Sequence, residues 1–310
     1  MFLLLLSCAP AAPTQNTATS SPVAHAEAAP VAVPPPGPPD VWPAPARLVA
    51  VGDLHGDVAS AILALKLGGL VDEAGRWTGG PSWLVQTGDI LDRGKDGATM
   101  LDFLGRLEVE SAAAGGKAIF LNGNHEVMNL QGDWRYVADL ADFAGANDEE
   151  RTASRKAYFS ASGAAGPGAG AMWVMSHRAT VQVGSTVFAH GGIDSNWASN
   201  GIAGLNALVA GAWGDPKAPV LGPDGPLWNR AYLLGDPPAV CPELDRALRA
   251  LGASRMVVGH TTQDSGLIAS RCEGKLYGID TGISAHYGVH PSALVIVHNP
   301  DGTDTVTALP

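Results

Sequence analysis

Asp53, His55, Asp89, Asn124, His190 and His260 are residues of the types that hold divalent metal ions. All are oxygen or imidazole donors without a thiolate among them, which suits borderline or hard ions such as Mn, Fe, Zn or Co. The set is too large for one structural ion. It matches two divalent metal ions that share a bridging carboxylate and keep positions open for water and substrate. The donors sit in GDLHGD, GDILDRG, GNHE, HGG and GHT, where glycine lets the backbone turn sharply and approach an ion. Each motif alone has an ordinary reading. Gly-Asp is a common turn, Asp-Arg can be a local pair, and a single histidine is more often structural than catalytic. Their joint occurrence, in this order, is what points to a site.

The positions of the motifs imply the elements that carry them. Each follows an apolar run of strand length: RLVAV, SWLVQ, KAIFL, STVFA and RMVV, with LYGIDTG further on. Helical periodicity covers residues 58–67, 100–113 and 242–251. Strand–helix–strand alternation followed by close-set strands predicts a layered α/β fold with mixed sheets. In such folds ligands gather where strands end at their carboxyl side, so five polar motifs at five strand ends can converge. The Gly/Ala stretch 160–171 reads as a flexible loop or an insertion, and no internal repeat is evident.

The chain has 310 residues, 46% hydrophobic and 16% charged, which fits one large domain or a domain plus a tail. Its net charge of −11, without a Lys/Arg run, excludes nucleic-acid binding through a basic surface. An acidic protein still binds phosphate where cations invert the local potential. The opening MFLLLLSC resembles the end of a bacterial lipoprotein signal peptide, in which Cys8 becomes lipidated. The run is too short to span a bilayer, and no positive n-region precedes it. Residues 9–46 are rich in Pro, Ala, Ser and Thr, with Glu27 and Asp40 as their only charges. They are expected to form a disordered, semi-rigid tether reaching up to ~100 Å. The expected organisation is a signal remnant over 1–8, a tether over 9–46 and a catalytic domain over 47–310. The address expected from these segments is exported and periplasmic, with membrane attachment through Cys8 alone. Cys241 and Cys272 then remain, either as a disulfide or as two free thiols, and no Cys-x-x-Cys pair suggests a zinc site.

The series GDLHGD, GDILDRG, GNHE, HGG and GHT resembles the calcineurin-like metallophosphoesterases, in particular their phosphoprotein phosphatase branch. GNHEVMNLQGDWRYV over 123–137 resembles the bacterial-type Shewanella-like phosphatases more closely still, and PLWNR at 226–230 and IDTGIS at 279–284 point the same way. The likeness covers roughly 48–295. It implies two mixed β-sheets packed together and flanked by helices, with two metals at one edge. By motif position Asp53 and His55 hold the first metal, Asp89 bridges, and Asn124, His190 and His260 hold the second. Thr262, two places after the GHT histidine, stands where many relatives outside this branch carry a second histidine. The nucleophile implied is a hydroxide bridging the two metals, without a covalent enzyme intermediate.

The remaining roles follow from charge. A departing alkoxide needs a proton, and His125, oriented by Asp92, is the candidate acid; its ordinary reading is a structural residue beside the metal ligands, and the family resemblance implies the acid role. Phosphoryl oxygens call for planar donors, a need that Arg93 and Arg230 fit, although a surface salt bridge is the ordinary reading of Arg230. Asp57 and Glu126 are expected to support metal-bound histidines or backbone amides. His286 follows IDTGIS and could line the cleft. The resemblance implies phosphoserine, phosphothreonine or phosphotyrosine proteins as substrates, with no obligate protein partner evident. A same-fold alternative hydrolyses diadenosine tetraphosphate or other small phosphoesters. A third reading, a tethered binding module without catalysis, predicts missing ligands, whereas all six are present.

Overall fold

Arg47–Val51 is a strand with both faces buried, because its alternate residues serve two different cores. Leu48 and Ala50 point into a layer between two sheets, while Val49 and Val51 point toward helices. This is the computed structural model of the chain, and it describes residues 39–162 and 166–310. The strands are β1 (Val41–Trp42), β2 (Arg47–Val51), β3 (Trp83–Gln86), β4 (Lys117–Phe120), β5 (Thr180–Val183), β6 (Thr186–Ala189), β7 (Arg255–Val258), β8 (Ala269–Arg271), β9 (Leu276–Gly278), β10 (Ala293–His298) and β11 (Asp304–Leu309). The helices are α1 (Val58–Leu67), α2 (Gly97–Ala113), α3 (Asn124–Gln131), α4 (Asp148–Tyr158), α5 (Ala169–Ser176), α6 (Ser195–Ala198), α7 (Gly201–Ala212), α8 (Ala231–Leu234) and α9 (Pro237–Leu251).

One sheet is ordered β11-β10-β2-β3-β4 and the other β1-β5-β6-β7-β9-β8. Helices α1 and α2 return the chain so that β2, β3 and β4 lie parallel, with Leu48 opposite Trp83 and Trp83 opposite Lys117. In the second sheet β6, β7 and β9 are parallel, β5 pairs antiparallel with β6 and β8 with β9, and β1 lies parallel to β5. Val85, Phe188, Val257, Ile279 and Ile296 fill the layer between the sheets. Helices α1 and α2 cover one outer face, and α9 covers the other with Leu244, Ala247 and Leu248. The fold is thus α/β with mixed sheets, as the alternation of apolar runs predicts, and its two sheets pack together between helices, as the family resemblance implies.

The boundaries differ from expectation in instructive ways. The folded region starts before residue 47. Val41–Trp42 pairs with β5, Gln182 N donates to Asp40 O at 3.0 Å, and Trp42 packs edge-on against Trp83 at 5.6 Å. One large aromatic among the prolines provides enough apolar surface to dock the end of the expected tether. Residues 1–38, with Cys8 and the rest of that segment, lie outside the described residues. Helix α2 begins at Gly97, and α9 begins at Pro237 because proline is tolerated in a first helical turn. The end of the 160–171 stretch belongs to α5. Cys241 in α9 and Cys272 after β8 form a disulfide with Cα atoms 5.4 Å apart. A loop of 31 residues so closed stabilises by about 3–4 kcal/mol on the chain-entropy account.

Candidate active site

Parallel strands aim their carboxyl ends the same way, and the expected donors stand at those ends. Asp53 and His55 follow β2, Asp89 follows β3, Asn124 opens α3 after β4, His190 follows β6, and His260 follows β7. The backbone there is held out of ordinary conformations. Among the described residues, eight non-glycine positions have left-handed φ, and His55, Asp89, Asp92, Arg93 and His260 are five of them. Such strain persists only where surrounding structure overdetermines it, and it gathers at functional sites. Two glycines are required by close approach. A Cβ at Gly123 would lie 2.2 Å from Asp89 Oδ1, and one at Gly259 would lie 2.2 Å from Asp53 Oδ1. Glu126 ties the turns together, accepting from the amides of Asp89, Ile90, Leu91 and Gly123 at 2.9, 2.9, 3.0 and 2.6 Å. Of its two expected partner types, backbone amides are the ones it meets.

The donor atoms converge in a way that calls for cations. His190 Nδ1 donates to Thr87 O at 2.9 Å, which leaves Nε2 bare in the neutral ring. That bare nitrogen lies 2.9 Å from Asn124 Oδ1 and 3.2 Å from Asp89 Oδ1, with His260 Nδ1 at 3.1 Å. Of these neighbours Asn124 Oδ1 and Asp89 Oδ1 are acceptors like the bare Nε2 itself, and acceptors so close repel one another unless a positive ion sits among them. Asp89, Asn124, His190 and His260 can therefore hold one ion. On the other side of Asp89, His55 donates from Nδ1 to Leu91 O at 3.1 Å and turns Nε2 to within 3.8 Å of Asp89 Oδ2. His55, Asp89 and His125 form a second group of donor atoms close enough for an ion. That group has His125 where the motifs place Asp53, whose two carboxylate oxygens instead face the His260 amide at 3.1 and 3.2 Å while Asp89 lies near enough to repel its charge.

Protonation follows the same logic. Burial, with smaller contributions from neighbouring rings, pushes His55 down to about 4, and burial followed by His190 pushes His260 down to about 2. Both are thus neutral, as metal ligation needs. Burial and then Asp280 and Asp89 hold Asp53 well above the usual carboxylate range, the mark of a site short of positive charge. Burial alone would raise Asp89, but His190, His125 and His55 pull it well below that range.

The other half of the site surrounds His125. Its Nδ1 donates to Asp92 Oδ2 at 2.8 Å, and although burial lowers its pKa, Asp89 and Asp92 raise it further, for a net rise. The Arg93 guanidinium stacks 4.0 Å above the Tyr136 ring, which itself lies 5.0 Å from the His125 ring. Arg230 is exposed at the cleft and donates to the His260 carbonyl rather than to a surface carboxylate. Thr262 donates to Asp280 Oδ2 at 2.7 Å. Asp57 supports no histidine. It caps α1 through Ser60 N at 3.0 Å and anchors the Ala285 amide at 2.8 Å. Tyr287, not His286, lines the cleft, with its ring 5.2 Å from that of His55. Tyr136, Tyr287 and Asp280 were not singled out from the sequence as site residues, since an aromatic or an acid in a loop carries no periodic or spacing signal. Position in IDTGIS was the sole available hint for Asp280.

Nitrogen and oxygen donors around two ion positions, at the carboxyl ends of strands in a two-sheet α/β fold, define a metal-dependent phosphoesterase. The family model for calcineurin-like phosphoesterases matches residues 46–264, and the chain belongs to that family, in its Shewanella-like protein phosphatase branch. It is 32% identical to Shewanella-like protein phosphatase 2 of Arabidopsis thaliana over 86% of this chain and 78% of that protein. It is 30% identical to Shewanella-like protein phosphatase 1 of Plasmodium berghei, over 78% of this chain and 69% of that one. Among solved structures, the cold-active protein-tyrosine phosphatase of a psychrophilic Shewanella superposes with a TM-score of 0.71 at 27% identity, covering 88% of this chain and 83% of that one. The chain is therefore a metal-dependent phosphatase that uses two divalent ions.

Proposed function

We propose that this phosphatase acts on phosphorylated proteins, with His125 as the acid that protonates the leaving oxygen. The observation that carries the reading is the His125–Asp92 pair at 2.8 Å, beside Asp89 and in the same cleft as Arg93 and Arg230. Asp53, His55 and Asp89 would hold one ion, and Asp89, Asn124, His190 and His260 the other. Bound ions supply Lewis acidity to the phosphoryl group and acidify a water. Arg93, pre-oriented on Tyr136, and Arg230, steadied by the His260 carbonyl, bind phosphoryl oxygens. Asp92 accepts from His125 Nδ1, so the proton to be delivered sits on Nε2. The names of the relatives favour phosphoprotein over dinucleotide substrates. With Mn²⁺, the purified protein is expected to turn over phosphoserine, phosphothreonine or phosphotyrosine peptides and to lose that activity in EDTA. Faster hydrolysis of diadenosine tetraphosphate than of every phosphopeptide would overturn the substrate assignment.

The chain is also read as an exported, periplasmic lipoprotein, with Cys8 as the lipidated residue and the Pro/Ala-rich residues 9–46 as the source of its tether, less the part that pairs with β5 from Val41. Support comes from the MFLLLLSC segment and from the Cys241–Cys272 disulfide, a bond that persists in oxidising compartments. Among the described residues no helix is long and apolar enough to cross a membrane. A palmitate analogue fed to cells is expected to label the wild type and not Cys8→Ser. Equal labelling of the two would end the lipoprotein reading.

A further inference from the structure

Helix α4 is polar and faces solvent, with Arg155 as its one fully buried residue. That side chain is 2% exposed, and its guanidinium lies 5.1 Å from the ring centre of Phe143 and 5.0 Å from that of Phe159. Its Nη2 donates to Asp92 Oδ1 at 2.9 Å and also to Asn129 Oδ1. Asn129 donates through Nδ2 to the same Asp92 oxygen at 3.0 Å and to the His125 carbonyl at 2.9 Å. The other carboxylate oxygen, Oδ2, is left to accept from His125 Nδ1. Asp92 has a φ of 67°, so its backbone sits in the left-handed region and does not by itself favour this placement.

A carboxylate has a soft terminal torsion, and an imidazole held by it alone would swing with it. Two donors on Oδ1 fix the carboxylate plane. Arg155 also decides which way the Asn129 amide faces, because the guanidinium can only donate and therefore selects Oδ1. A buried guanidinium is costly unless it is paired, so an otherwise exposed helix that sends one arginine here does so against a strong desolvation penalty.

We propose that Arg155 is a positioning residue for proton delivery. Through Asp92 and Asn129 it holds His125 at the angle from which Nε2 reaches the leaving oxygen, and it does so without touching substrate. Helix α4 is then part of the catalytic apparatus. The inference rests on the reading of His125 as the acid, and the experiment separates the two. As water forms its bond to phosphorus and the P–O bond to the phenyl group breaks, the departing phenoxide takes a proton from Nε2. The oxygen of 2,4-dinitrophenyl phosphate departs as a stable anion and needs none. Turnover of both substrates is measured for the wild type, His125→Asn, Arg155→Ala and Arg155→Lys, together with metal content. His125→Asn is expected to lose about 100-fold or more on phenyl phosphate and only a few-fold on the dinitrophenyl ester. Both Arg155 variants are expected to keep wild-type metal content and lose about tenfold or more on phenyl phosphate, against less than about threefold on the other ester. Should Arg155→Ala not fold, Arg155→Lys carries the test, because it keeps the cation and loses the planar fork. Equal losses on both esters in the Arg155 variants, beside a selective loss in His125→Asn, would overturn the positioning role and leave the acid reading standing. Equal losses in His125→Asn itself would overturn both.

Discussion

Asp89→Asn is expected to reduce phosphatase turnover by about 10³-fold or more, because removing a charge from the middle of a preorganised electrostatic site forfeits its largest single contribution. Asp89 is the carboxylate shared by both donor groups. Its Oδ1 lies 3.2 Å from His190 Nε2, and its Oδ2 lies 3.7 and 3.8 Å from His125 and His55. It also accepts from the His125 amide at 3.0 Å, so it positions the start of α3 as well. Asparagine fills the same volume without the charge and must turn an NH₂ toward one of the two groups of acceptors. The fold should survive, since most of the surrounding hydrogen bonds belong to Glu126 and to the backbone. Turnover of p-nitrophenyl phosphate and metal content per chain check the prediction together. A variant that kept a tenth of wild-type turnover would remove Asp89 from the centre of the site.

The second large effect belongs to a residue that touches no substrate. Glu126→Ala is expected to destabilise the fold by about 3–5 kcal/mol and to abolish activity with it. Its carboxylate is the acceptor for the amides of Asp89, Ile90, Leu91 and Gly123, and it is fully buried. Truncation leaves these donors with no partner in a cavity walled off from solvent. Glu126 itself is pushed up to about 7, by burial first and then by Asp89, against the lowering pull of the Gly123 and Leu91 amides and of His125. Thermal unfolding of the metal-free and metal-loaded variant gives the size of the loss. If Glu126→Ala melted within about 1 kcal/mol of the wild type, water would have to be replacing the carboxylate, and the turn would be more robust than its hydrogen bonds imply.

The two residues differ in how they could be read beforehand. Asp89 stands in GDILDRG after an apolar run, so its type, spacing and place at a strand end were all visible in the chain. The same holds for Asp53, His55, Asn124, His190 and His260, because strand ends are marked locally by the change from apolar residues to glycine and acid. The layered α/β class with mixed sheets was legible for the same reason, since short apolar runs separated by helical periods leave few layered arrangements open, whereas the packed pair of sheets came from the family resemblance. Glu126 was visible as a polar neighbour of Asn124, but whether it would support histidines or amides depends on how two loops pack. Arg155 was not visible at all. It lies in DEERTASRKAY beside Arg151 and Lys156, and nothing local separates an arginine that turns inward from those that face water.

The chain by itself determined which side chains can do the chemistry and in what order the strands deliver them, since apolar period, glycine placement and donor type are properties of adjacent residues. Only the tertiary structure decided what each of those side chains faces. It set Tyr136 under Arg93 and Tyr287 beside His55, and it bonded Cys241 to Cys272. It drew Trp42 from the expected tether into β1, and it brought Arg155 across 63 residues to Asp92. Such contacts join segments far apart in sequence, and their energies depend on burial and on the direction of a hydrogen bond. Neither exists until the layers have closed.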